Sequence, residues 1–361
     1  MNKKNLLMAL LLIALIVIVP RSIVVAFLIF SFIVLVHEFG HFIVAKKSGI
    51  FVEEFAIGMG PKLISVEGKE TVYSIRILPI GGFCKMLGED EDAEDERAFN
   101  NKSVWARIAT VFAGPLFNFI LVFLASILMI GIFGYTDTVI MGVSDDTPAQ
   151  LAGLQSGDEI TKIDNKSVAL RQDISLAMIA AQGNPVEFEI VRDGETFTRL
   201  ITPEEVDRHH YRIGINLQHQ KSSFIDTIQY GAYEFRYWAR YTMTSFRMLF
   251  SGEFTRQDVA GPVGIVNMVS EGYEMGSSHG ALGAIEMILT FIILISFNLG
   301  VVNLIPIPAL DGGRLIFLII EGIRGKPINR EAEGFMHFVG FALLMALMVF
   351  LLFNDISNFR L

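Results

Sequence analysis

A single cysteine, Cys84, in 361 residues excludes an intrachain disulfide and any cysteine-based zinc knuckle. It also leaves the redox compartment unread. Basic charge is scarce too. The net charge is −9, and the Lys and Arg residues form no patch interleaved with aromatics, so no nucleic acid is expected as a partner. Apolar side chains, by contrast, make up 52% of the chain, with a mean hydropathy of +0.50. A soluble domain holds ~45–50% apolar residues even when Gly is counted. Because the excess lies in long runs, the composition points to an integral membrane protein embedded in a lipid bilayer.

The first run, residues 6–19 (LLMALLLIALIVIV), follows Lys3-Lys4 and stops at Pro20-Arg21. It is short against the ~20 residues a spanning helix needs, and no A-x-A-like cleavage site follows it. An uncleaved signal-anchor or extra transmembrane helix is expected over residues 1–21. Further runs occupy 22–45, 104–134, about 281–320 and 335–353. The 281–320 run is interrupted by NLIPIPALDGGR and is too long for one straight span. Non-helical backbone at membrane depth is tolerated only inside protein or beside a water-filled cavity.

Lys46, Lys47, Lys62, Lys69, Arg76, Lys85, Lys102 and Arg107 lie in the 46–107 connection, and Arg324, Lys326 and Arg330 in the 321–334 connection. Both are therefore expected on the cytoplasmic side. Residues 135–280 then fall on the opposite face. The acidic run Glu89–Glu96 weighs little in that rule and reads as a solvated loop. Residues 135–205 are turn-rich, with alternating stretches such as EITKID and VEFEIVRDG and a helix ending at Gly183, which predicts a small α+β module. Residues 206–280 are expected to hold an amphipathic helix and a linker. SSFIDTIQYGAYEFRYWARYTMTSFRMLF, 222–250, is too polar to span and should lie along the membrane surface.

Within the 22–45 run, HEFGH places His37 and His41 one helical turn apart on one face, where both imidazoles can bind one Zn²⁺. Glu38 beside them can take a proton from water that the metal activates. Polar residues bonded to neighbouring helices are the plainer alternative. Three ionisable groups within five residues at membrane depth favour the metal. A catalytic zinc needs a third protein ligand. His209, His210, His219, His279 and His337 qualify by type but lie outside the motif's depth or near a helix end. Asp311 is the other ionisable group in a broken apolar run. A simple Asp-Gly turn is its alternative reading, but a turn in an apolar run lacks partners unless it lines a cavity.

HEFGH, NLIPIPALDGG and the module between them resemble the site-2 protease family of intramembrane zinc metalloproteases, in particular its bacterial regulator-of-sigma-E protease type. LPIGGFCKMLGED (78–90), AGPLFNF (113–119), GPVGI (261–265) and the late LFNDIS extend the resemblance over nearly the whole chain after residue 22. It implies a polytopic α-helical membrane bundle of four core helices, split into 22–134 and 281–361, with an inserted PDZ-like domain at 135–205. It implies one Zn²⁺ held by His37, His41 and Asp311, with Glu38 as general base. Asn303, Pro306 and Pro308 would hold an unwound substrate segment. Gly81 and Gly82 would belong to a membrane-associated β-loop that pairs with extended substrate, although an ordinary hairpin turn explains them equally well. The expected activity is cleavage within the transmembrane segment of single-span proteins, such as an anti-sigma factor or a remnant signal peptide, in a bacterial inner membrane. The single PDZ-like module departs from members that carry two in tandem, as does the extra 6–19 segment. A zinc transporter would leave Glu38 and the PDZ-like module unexplained, and a membrane scaffold would need no metal.

Overall fold

The computed structural model describes residues 18–89, 91, 93–207, 210–252 and 259–358. The expected 6–19 helix lies outside them, apart from Ile18 and Val19. Four described helices are long and apolar enough to cross a membrane: Arg21–Lys47 (α1), Val104–Phe133 (α2), Ala281–Leu304 (α7) and Glu331–Ser357 within Arg330–Asn358 (α9). In hydrocarbon a helix satisfies its own backbone, so these runs have no other stable form. By contacts the chain divides into two compact units, residues 1–122 with 254–361 and residues 123–253, the division falling within α2.

In the first unit, α1 meets α2 backbone to backbone. A Cβ on Gly40 would lie 2.3 Å from the Ala113 carbonyl oxygen, so only glycine allows this approach. Lys46 and Lys47 sit in the last turn of α1, where they complement the helix dipole. After α1 come two long strands, Val52–Glu67 (β1) and Val72–Met86 (β2). Ala56 of β1 is matched to both Phe83 and Ser74 of β2, so residues 82–86 border β1 on one side and 72–75 on the other. Gly81 and Gly82 therefore lie inside β2, not in its hairpin turn. Glu54, buried in this sheet, accepts from Ser74 Oγ (2.5 Å) and Arg76 Nη2 (2.8 Å) and pairs with Lys62 Nζ (2.9 Å). Those three donors outweigh burial and hold its carboxyl at about 2.

The broken apolar run resolves into α7, a turn over 305–310, and a short helix, Asp311–Arg324 (α8). Where a linker was expected, Pro262–Ser278 forms a helix (α6). Its Val269 is buried with Ile29 and Ile33 of α1 and Phe291 of α7. The N-terminus of α6 is capped from a distance. The Asp355 carboxylate of α9 accepts from the backbone N–H of Gly261 (2.8 Å), Val263 and Gly264 (3.0 Å each). Three of the helix's orphan donors are thus satisfied by one side chain.

The second unit is β-rich. Tyr135–Val143 (β3), Glu159–Ile163 (β4), Val186–Arg192 (β6), Glu195–Ile201 (β7) and Ile215–Gln220 (β10) form a sheet in the order β10-β3-β4-β6-β7, with the short Lys166–Ser167 (β5) beside β4. A short helix, Pro148–Leu151 (α3), and Arg171–Ala181 (α4) complete the module, and Glu204–Asp207 (β8) pairs with His210–Arg212 (β9). Ile140, Ile160, Phe188 and Ile190, all fully buried, form its core. Phe224–Ser251 (α5) begins with a capping box between Ser223 and Asp226. It docks on α4 through Asp173, whose carboxylate lies 3.2 Å from Arg236 Nη2 and 3.5 Å from Arg240 Nη1.

Candidate metal centre

α1 carries His37, Glu38 and His41, and the first turn of α8 carries Asp311. Asp311 Oδ2 lies 3.1 Å from His37 Nε2 and 3.4 Å from His41 Nε2, and the two Nε2 atoms are 3.2 Å apart. One ligand atom from each of the three residues falls within 4.8 Å of the others, and Asp311 Oδ2 is buried without a hydrogen-bond partner. Two imidazole lone pairs and a carboxylate oxygen facing one point repel each other unless a cation sits between them. Two nitrogens and one oxygen also form a donor set suited to zinc, with a position left for water.

The ring nitrogens turned away from that point fix the tautomers. His41 Nδ1–H donates to the Thr110 carbonyl (2.8 Å), which leaves Nε2 with its lone pair inward. His37 Nδ1 lies 3.2 Å from the side-chain amide of Asn118, a fully buried residue on α2. For His37 Nε2 to be a ligand, Nδ1 must carry the proton, so the Asn118 amide oxygen is its partner. Between these two contacts on α2 lies Gly114, where a Cβ would stand 2.3 Å from His41 Nε2 and 2.8 Å from His37 Nε2. The imidazoles occupy the space that a side chain would fill.

A cavity of about 300 Å³ opens on this point, lined by Val34, Glu38, Cys84, Leu299, Asn303 and Asp311 among others. Glu38 faces this cavity together with Cys84 and Met86 of β2. Burial, and then the Glu38 and Glu89 carboxylates, push the Cys84 thiol up, so it lines the cavity as a neutral group. Arg314 and Glu89, an ion pair, border this cavity and a neighbouring polar one of about 380 Å³.

The fold thus gathers His37, Glu38, His41, Asp311 and Asn303 around one cavity. Gly82 runs beside Glu38, a Cβ there falling 3.8 Å from Glu38 Cγ, and Gly81 lies near Val34. Pro306 and Pro308 do not line the cavity; the Pro308 carbonyl is turned to Gly340 of α9. His219 and His279 bond elsewhere, to Thr136 Oγ1 and the Met275 carbonyl, and His337 accepts from the Ala309 N–H. Asn118 and Gly114 are the residues that the sequence did not single out. Both lie within or beside AGPLFNF, and a buried amide in an apolar run was the available signal.

Peptidase family M50 matches residues 25–347. The zinc metalloprotease RasP of Geobacillus kaustophilus is 32% identical over 94% of this chain and 98% of its own. The regulator of sigma-W protease RasP of Bacillus subtilis is 32% identical over 93% and 98%. A zinc metalloprotease candidate of Clostridium acetobutylicum reaches 40% identity over 93% of this chain and 97% of its own. A PDZ domain of an SdrC-like protein from Listeria monocytogenes matches 23% of this chain and 86% of its own at 27% identity, with a TM-score of 0.20. The chain belongs to peptidase family M50 and is a zinc metalloprotease of the site-2 type.

Proposed function

We propose that His37, His41 and Asp311 hold the zinc and that Glu38 is the general base for peptide-bond hydrolysis inside the membrane. The convergence of three ligand atoms beside Glu38, on helices apolar enough to span, carries this reading. Bound zinc supplies Lewis acidity to a water and to the scissile carbonyl. Glu38 takes the water's proton at a carboxylate oxygen and can return it to the leaving nitrogen. The Thr110 carbonyl and Asn118 keep both imidazoles turned inward.

The substrate is the transmembrane segment of a single-span membrane protein, with an anti-sigma factor or a remnant signal peptide as the fitting class. Peptide bonds within a helix are shielded, so the segment must unwind before it is cut. Residues 82–86 have a matched strand on one side only among the described residues, next to Glu38, and can accept an extended segment on the other. Asn303, on the cavity wall, donates its side-chain amide to a substrate carbonyl. Pro306 and Pro308 act indirectly, by breaking α7 so that Asp311 can turn inward.

The protein sits in the bacterial inner membrane with the metal nearer the cytoplasmic face, since Lys46 and Lys47 end α1 one turn beyond His41. The 135–205 module, PDZ-like in its turn and strand pattern, lies on the opposite side and excludes substrates that still bear a bulky ectodomain. Glu38→Gln tests the assignment. Zinc content is expected to stay at one per chain, while cleavage of a transmembrane test peptide falls about 10²–10⁴-fold. A Gln variant that cuts at the wild-type rate would remove Glu38 from the mechanism.

A further inference from the structure

The turn that delivers Asp311 contains an unusual residue. Ala309 has φ +80, a left-handed conformation that costs a residue with a Cβ on the order of 1 kcal/mol or more and persists only where its surroundings impose it. Most backbone donors of this turn are used locally. Ile305 N–H bonds to the Val302 carbonyl, Ile307 N–H to Ile305, and Leu310 N–H to Ile307, while Pro306 and Pro308 have none to offer. The Ala309 N–H instead goes to His337 Nδ1 on α9, 28 residues away, at 2.9 Å. One helical turn further along α9, Gly340 lies so close to the Pro308 carbonyl that a Cβ would come within 2.1 Å of its oxygen. One face of α9 therefore grips two consecutive residues of the turn, and Asp311 follows two positions later.

We propose that His337 is a positioning residue for the metal: it holds Ala309 in its left-handed conformation and so aims Asp311 Oδ2 at His37 and His41. The acceptor role requires Nδ1 to be unprotonated, so the proton of the neutral ring is on Nε2. That atom is buried without a hydrogen-bond partner, and Glu333 Oε1 is 3.9 Å away. The ring also packs edge-on against Phe317 of α8, so α9 touches the ligand-bearing helix as well as the turn before it. α9 is otherwise sparsely packed, with 6% of its spanning window buried. A helix held at so few points transmits its own position to the turn it grips.

This inference rests on Asp311 being a zinc ligand, and the experiment separates the two ideas. His337→Leu and His337→Asn remove the ring equally and have nearly the same shape, but only Asn offers an oxygen where Nδ1 stood. Zinc affinity of the full-length protein in detergent is measured by chelator competition, alongside Asp311→Asn. The Leu variant is expected to bind zinc about 10-fold more weakly or worse, in the range of lost outer ligand partners, and Asn to stay within about 3-fold of wild type. Any loss of stability from removing the ring is common to both variants. Equal zinc affinities for Leu and Asn overturn the positioning role. If Asp311→Asn binds zinc as tightly as wild type, the ligand assignment fails instead, and the inference with it.

Discussion

Gly114→Ala offers the sharpest perturbation of the metal centre, because it adds one methyl group and replaces no proposed ligand. The new carbon would lie 2.3 Å from His41 Nε2, 2.5 Å from its Cε1 and 2.8 Å from His37 Nε2. Non-bonded carbon prefers a separation near 3.5 Å, so the His41 ring must retreat by roughly 1 Å. Zinc–nitrogen bonds are near 2.0–2.1 Å and tolerate only about 0.2 Å of change. Relief by the backbone would require α2 to lift away from α1, opening the close approach of the Ala113 carbonyl to Gly40. Zinc affinity is therefore expected to fall at least about 100-fold, equivalent to ~2.7 kcal/mol. Gly334→Ala on α9, where a Cβ meets nothing within 4 Å, is the control and should bind zinc as wild type does. The assay is chelator competition on purified protein in detergent, with zinc-free unfolding temperature recorded in parallel. A Gly114→Ala protein holding zinc within about 3-fold of wild type would refute the His37–His41–Asp311 centre as drawn.

Two further outcomes follow from other buried contacts. Asn118→Leu removes the partner of His37 Nδ1, so zinc affinity should drop about 10–100-fold while Gln at 118 recovers part of it; no change would show that His37 needs no such orientation. Burial, opposed by the Trp238 Nε1–H bond and assisted by Asp173, pushes the Glu234 carboxyl on α5 from 4.5 up to about 7. A raised carboxyl stabilises the fold fully below its ordinary value and loses that contribution as pH rises through about 7, so unfolding temperature should decline between about pH 5 and 8 in wild type and less in Glu234→Gln. Parallel pH profiles for the two proteins would count against this.

What could be read from the sequence depended on whether a residue's meaning was local. His37 and His41 declare themselves because a one-turn spacing inside an apolar run brings them together in any helix. Asp311 is legible as an ionisable group where Pro306 and Pro308 break such a run. Asn118 carries the same kind of signal, but a buried amide can serve many partners and only the packing of α2 on α1 selects His37. Gly114 and Gly40 are harder still, since a missing Cβ has significance only against the atom it would strike. The helix at Pro262–Ser278 is masked by Gly, Ser and Glu residues that interrupt its apolar pattern, yet Val269 is buried. Strand β10 pairs with β3, Ile215 opposite Val143, and so distant a pairing leaves no mark on the neighbouring residues. The alternation within 135–205, by contrast, is local, and β4 and β6 lie where EITKID and VEFEIVRDG predict them.

The Asp355 cap has a consequence for the order of assembly. Gly261 leaves the ribosome 94 residues before the carboxylate that will accept its N–H. At roughly 5–20 residues per second, α6 waits on the order of 5–20 s with its first amides unclaimed. During that interval the nascent helix can rest only where water or the insertion machinery serves those donors. Arrival of α9 then delivers, in one docking event, the acceptor for α6 at one end and the His337 grip on the turn before Asp311 at the other. Synthesis of the chain thus itself delays the moment at which a peptide-cutting centre can exist in the membrane.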